Sequence, residues 1–206
     1  LRDVIPIIKM INTDKKSLGA MIRTYNRYIF KSTKQPILDK AIADTSIKLS
    51  ESGPPASVLL DNFKALHSRD LNEVDPDTSK CIFVQAFNQL AGKDGKLFCQ
   101  MHSSERVFHI QFQGEHGIDA GGVFREGVSR MVEDLFSEHF NLFIPCPNAL
   151  HKIHINTEKY VPNSIHKSSM THRMFEFTGK LMGMSLRAKL NLPFELISAL
   201  ACAITK

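Results

Sequence analysis

Apolar residues along this chain recur first at helical spacing, then at every second position, then at helical spacing again. Leu18, Met21, Ile22, Tyr25 and Ile29 form one stripe, with Arg23, Arg27 and Lys31 off it, which predicts an amphipathic helix. A second helix is expected to start at Pro36, a favoured first-turn residue, and to carry Ile37, Leu38, Ala41 and Ile42. The cluster Ser50-Glu-Ser-Gly-Pro-Pro55 is the clearest internal break. Leu59, Phe63 and Leu66 then predict a short helix. Phe83, Ala86, Phe87 and Leu90 predict another, stopped by Gly92-Lys-Asp-Gly95.

From Val107 the period is two. Phe108, Ile110 and Phe112 share one face, and His109, Gln111 and Gln113 share the other, as in a half-buried strand. A turn at Gly114-Glu-His-Gly117 leads into a helix from about Asp119 to His139, with Phe124, Val128, Met131 and Leu135 inward. Leu142 to Ile144 reads as a short strand closed by Pro145 and Pro147. Ile153 and Ile155, alternating with Lys152 and His154, predict another. Met170 to Leu190 forms a long helix, and Pro193 resets the chain into a last one. The expected architecture is α+β, mainly helical with a small antiparallel sheet and a helical N-terminal extension. Residues 1–75 form that extension, and residues 76–206 the main domain.

Composition narrows the class. The chain has 206 residues, 43% hydrophobic and 23% charged, which excludes a disordered or collagen-like chain. No apolar run approaches the ~20 residues of a membrane span. The start, Leu1-Arg2-Asp3, lacks the features of a signal peptide, and we expect a piece of a longer protein. Cys81, Cys99, Cys146 and Cys202 are widely spaced, as expected of reduced thiols in a cytoplasmic or nuclear protein. Of the net charge of +5, residues 1–50 carry +6 and the rest −1. That basic flank suits either a solvated helix face or a module binding nucleic acid or membrane.

Chemistry-bearing patterns are few. The glycines from Gly114 to Gly122 follow a strand and open a helix, where phosphate loops sit. Their spacing matches no such loop, and Glu115 and Asp119 would repel a phosphate. A structural role is more economical. Gly114 and Gly117 permit the turn, and Asp119 caps the helix. Gly121 and Gly122 let the helix start approach another backbone, and Arg125 and Glu126 fix it by a buried ion pair or backbone bonds. His151 and His154 point to opposite faces of a strand and cannot share a metal. Cys81, Cys99 and Cys202 read as buried thiols, Cys99 in a strand. Cys146 is expected to be the most exposed, with no neighbouring cation to activate it. Gly179 and Gly183, four apart on the Met-rich helix, suggest close packing on a neighbour more than an adaptable partner groove.

The run Phe108 to Glu126 nevertheless resembles the strand–turn–helix signature of HECT-type ubiquitin ligases. Leu142-Phe-Ile-Pro145 with Pro147-Asn148, Ile153 to Asn156, Phe175 to Gly183 and Leu192-Pro-Phe194 follow in that family's order. The resemblance covers about residues 78–206 and is nearest the large HECT ligases carrying RCC1-like repeats. It implies an N-lobe that docks a ubiquitin-loaded conjugating enzyme, and a following C-lobe whose cysteine accepts ubiquitin and passes it to a substrate lysine. By the family's order, the chain ends inside the N-lobe, and the accepting cysteine is expected beyond Lys206. None of the four cysteines present is in the catalytic context, so no catalytic residue, metal or cofactor is expected. Phe87 falls where related ligases present an aromatic ring to non-covalently bound ubiquitin. The rival expectations are a HECT-like scaffold without catalysis, or a basic helical module on nucleic acid or membrane.

Overall fold

In the computed structural model, residues 14–47, 56–100, 107–115 and 122–197 are described. They fall into two compact units divided after Ser46. In the first, α1 (Leu18–Thr24) starts at Ser17, whose hydroxyl accepts the Ala20 N–H at 3.1 Å. The chain then makes a 3₁₀ turn (Asn26–Tyr28) and enters α2 (Lys31–Thr45). Pro36 lies inside α2 and does not open it. A proline there forgoes the hydrogen bond that its missing N–H would make to the preceding turn. Ile22 is buried, whereas Leu18, Met21 and Tyr25 are exposed.

The second unit is built on two strand pairs. β1 (Ser57–Leu60) runs parallel to β2 (His109–Phe112), with Val58 opposite Ile110 and Leu60 opposite Phe112. β3 (Phe143–Pro145) and β4 (Tyr160–Pro162) are antiparallel. Around them lie α3 (Asn62–Asp70), α4 (Ile82–Leu90), α5 (Gly122–Leu135), the short α6 (Pro147–His151) and α7 (Ser169–Arg187). The fold is therefore α+β and mainly helical. Its antiparallel pair is β3–β4, and β1–β2 adds a parallel one.

β1 occupies part of the segment read as a helix. Val58 and Leu60 are fully buried while Leu59 faces out, so the Leu59–Phe63–Leu66 stripe never becomes a helical core face. Asp61 ends the strand and starts α3, its carboxylate accepting the Lys64 N–H at 3.1 Å. α3 then buries Ala65 and Ser68 and leaves Phe63 80% exposed. These elements, grouped by sequence with the N-terminal extension, belong to the larger unit.

The core is phenylalanine on phenylalanine. Phe177 of α7 meets Phe83 at 5.5 Å, Phe87 at 5.9 Å and Phe98 at 5.9 Å between ring centroids. Phe108 of the β2 approach packs edge-on to Phe124 at 5.2 Å. Phe124, Val128, Met131 and Leu135 are fully buried, as their spacing requires. Cys99 closes a 3₁₀ turn (Gly95–Cys99) and is not in a strand. The strand expected at Ile153 and Ile155 is absent. Lys152, His154 and Asn156 all have positive φ, which repeatedly reverses the chain, and Ile155 is left 75% exposed. Residues 193–197 are not helical, and the remainder of the expected last helix, Cys202 and Lys206 included, lies outside the described residues. Gly117, Asp119 and Gly121 lie outside them as well.

The close approach of α5 to the sheet occurs at a different glycine from the one expected. Gly122 is exposed, and among the described residues a Cβ there would meet nothing within 4 Å. A Cβ on Gly127 would lie 2.6 Å from Ile110 Cδ1 and 3.1 Å from its Cγ2. Gly127→Ala should therefore lower stability by about 1–3 kcal/mol in urea unfolding. In an Ile110→Val background, which removes Cδ1, the penalty should shrink. Gly122→Ala should stay within about 0.5 kcal/mol of the parent. Equal effects at the two glycines would contradict this packing.

Candidate functional site

The glycine-rich segment joins β2 to α5. Gly114 takes φ +82°, a left-handed conformation that costs glycine little, and the Glu115 N–H closes the turn on Phe112 O at 3.1 Å. The structure then brings Glu115 and Glu126 together through two residues that carried no sequence signal. The Asn62 amide donates to Glu115 Oε1 at 3.2 Å and accepts from Arg130 Nη1 at 2.7 Å. The other arm of Arg130 pairs with Glu126 at 2.6 Å, and its guanidinium lies 5.1 Å over the Phe112 ring. Arg125 and Glu126 are both exposed, so the expected buried pair is replaced by this surface bridge one turn along α5. Its chemical capacity is recognition. Charged and amide groups are held in fixed positions, and each carboxylate is already answered by a donor.

Beside the bridge is an open cleft of about 310 Å³, walled by Asn62, Ala65, Leu66 and Ile82, with Arg69, Arg130 and Glu133 at its polar side. Arg69 is tied down by the buried Asp134 at 2.9 Å. Asp134 Oδ2 also accepts the Phe83 N–H at 3.1 Å, capping α4, which has no side-chain cap of its own. Burial pushes the Asp134 carboxyl up, opposed by the Phe83 N–H and by Arg69. One carboxylate thus joins α3, α4 and α5.

Two of the described thiols, Cys81 and Cys146, are not poised for attack. Cys81 is buried at the start of α4, and desolvation, then the charge of Asp134, pushes its thiol up to about 12. Cys146 is only 5% exposed, against expectation, because the Cys146 N–H bonds Lys159 O and Sγ donates to Asn156 O at 3.2 Å. The position expected to precede the accepting cysteine, Lys206, lies outside the described residues. Phe87 is 3% exposed, edge-on to Phe177 with the Arg173 guanidinium 5.7 Å from its ring. A ring packed in this way is a core residue and offers no face to a protein partner. Among the described residues no three potential ligands cluster around a metal position, and no helix is long and apolar enough to cross a membrane.

Two measurements check this arrangement. Asp134→Ala leaves the Phe83 N–H and Arg69 without their partner and should cost about 3 kcal/mol, whereas Asp134→Asn should cost less because it keeps a cap. Equal losses would show that the carboxylate position does not join these helices. The Lys64 N–H, ahead of smaller contributions, holds the Asp61 carboxyl below its ordinary value. Its stabilisation is complete above the ordinary carboxylate pKa and is lost as pH falls through the lower folded value. Asp61→Asn, which caps without titrating, should lack that acid-side step in a pH series of unfolding curves.

Comparison with known proteins adds descent to geometry. No protein-family model matches the chain. It is 23% identical to the human probable E3 ubiquitin-protein ligase HECTD4 over 94% of its own length and 5% of that protein's. It is 25% identical to the mouse E3 ubiquitin-protein ligase HERC2 over 84% of its length and 4% of that protein's. With the fission-yeast (Schizosaccharomyces pombe) E3 ubiquitin-protein ligase ptr1 it shares 30% identity over 63% of its length and 3% of that protein's. The match to HECTD4 spans 199 residues, so it takes in most of the region before residue 78, which carried no motif. The chain spans about one twentieth or less of the length of these relatives. Over most of its length, the chain is a homologue of a segment of HECT-type E3 ubiquitin-protein ligases.

Proposed function

We propose that this chain serves as the N-lobe scaffold of a HECT-type E3 ubiquitin ligase and that the cysteine accepting ubiquitin lies beyond Lys206, outside these 206 residues. The observation that carries the reading is the kinship with E3 ubiquitin-protein ligases over as much as 94% of the chain. The state of Cys81 and Cys146 supports its second half. Transfer requires a thiolate to attack the carbonyl carbon of the conjugating enzyme's thioester. A new C–S bond forms, the old one breaks, and the conjugating enzyme leaves as its own thiolate. A buried thiol raised to about 12 stays protonated at neutral pH, and Cys146 is shielded and bonded to a carbonyl. The partners in this reading are ubiquitin, a ubiquitin-conjugating enzyme and a substrate protein, with the bridged surface from Glu115 to Arg130 keeping the scaffold rigid.

The test mixes activating enzyme, conjugating enzyme, ubiquitin and ATP with either the full-length protein or the 206-residue chain, and separates the products without reductant. The full-length protein should form a thiol-sensitive adduct one ubiquitin larger, and the chain alone should form none. An adduct on the isolated chain that disappears with Cys146→Ser would overturn the assignment, as would a full-length protein unable to form any adduct.

A further inference from the structure

The first unit carries large apolar side chains on its outside. In α1, Gly19 and Ile22 are buried, whereas Leu18, Met21 and Tyr25 centre about a quarter turn away and are half exposed or more among the described residues. The stripe continues past the helix, where Tyr28 is 69% and Phe30 81% exposed. Two neighbours order the Tyr28 ring. The ring of Tyr25 lies 6.4 Å away, and the Arg27 guanidinium sits 5.1 Å over Tyr28. The charge around this stripe has one sign. From Lys15 to Leu38 the chain carries Lys15, Lys16, Arg23, Arg27, Lys31 and Lys34, all exposed, and no carboxylate. Apolar side chains left in water beside unmixed positive charge mark a surface that binds something.

We propose that this surface attaches the chain to membranes rich in anionic lipid. Leu18, Met21, Tyr25, Tyr28 and Phe30 enter the headgroup layer, and the cations beside them meet the lipid phosphates and carboxylates. Charge complementarity selects an anionic partner, since no carboxylate interrupts the run from Lys15 to Leu38. The make-up of the stripe selects lipid over a nucleic-acid strand. Leu18 and Met21 carry no ring on which a base could stack, yet both suit the boundary between headgroups and acyl chains. Tyr28 with Arg27 over its ring joins an apolar body to polar tips, the combination that settles at headgroup level. Attachment through so short a stripe is reversible and weakens as salt is added. The chain lies on the bilayer and does not cross it. The proposal does not rest on the ligase reading.

The 206-residue chain has no tryptophan, so Phe30→Trp places a single fluorescent reporter in the stripe. It is mixed with vesicles of phosphatidylcholine and phosphatidylserine, about 7:3, in about 0.15 M salt. The chain should sediment with these vesicles and the reporter's emission should move to shorter wavelength, whereas phosphatidylcholine alone should do neither. Phe63→Trp, an equally exposed reporter on α3, should not shift. Arg27→Glu with Lys31→Glu should lower the partition coefficient at least about tenfold, because each cation near an anionic surface is worth about fivefold. Leu18→Ser with Met21→Ser should also lower it, with the charge and the circular dichroism unchanged. Failure of the parent chain to sediment overturns the proposal, as does an equal shift at Phe63→Trp. So does binding that survives loss of Leu18 and Met21, or preference for a single-stranded oligouridylate when both are offered, which would make nucleic acid the occupant.

Discussion

A two-stranded parallel sheet leaves both outer edges with unpaired peptide groups, and β1 could not lie buried beside α4 unless its free edge were satisfied. Two glutamines of α4 meet that requirement. The Gln89 amide accepts the Leu59 N–H at 2.9 Å and donates to Leu59 O at 2.7 Å. Gln85 does the same for Asp61, at 2.7 and 2.9 Å. Residues four apart on a helix rise about 6 Å, and residues two apart on a strand about 6.6 Å, so the two amides match alternate peptide groups of an antiparallel-running edge. The helix acts as a third strand. With α4 held in this register, its other side turns Phe83, Ala86, Phe87 and Leu90 into the core, and the ring of Phe177 can meet Phe83, Phe87 and Phe98 at once.

The polar surface beside that frame follows from the same placement. Asn62 begins α3 because Asp61 has just ended β1, and only there can its amide reach both Glu115 and Arg130. Asp134 reaches the start of α4 because α5 packs closely on β2, an approach that Gly127 permits by lacking a side chain. Kinship with E3 ubiquitin-protein ligases gives these contacts a context. They tie α3, α4 and α5 together, while Cys81 and Cys146 are buried.

What could be read along the chain was whatever depends on local periodicity. The helices at 82–90, 122–135 and 169–187, the half-buried strand ending at Phe112, and the turn glycine Gly114 each repeat their signal within one or two turns of their own backbone. Where local signals competed, the reading failed. Leu59, Phe63 and Leu66 carry helical spacing, yet strand pairing to β2 buries Val58 and Leu60 and leaves that stripe outward. Ile153 and Ile155 alternate like a strand, but positive φ at Lys152, His154 and Asn156 removes the ladder.

The sequence by itself determined the inward faces of α4, α5 and α7, the family resemblance and the lack of any known nucleophile or metal motif, since each depends on residue type at short spacing. Tertiary structure alone decided which groups meet across long separations. Glu115 joins Glu126 through Asn62 and Arg130, Asp134 caps a helix more than forty positions earlier in the chain, Phe87 turns inward, and Gly127 rather than Gly122 is the crowded glycine. The physical reason is that hydrogen-bond satisfaction and steric contact depend on distance in space. Residues such as Gln85, Gln89 and Asn62 are ordinary polar positions along the chain until packing sets their amides against a strand edge or between two charges.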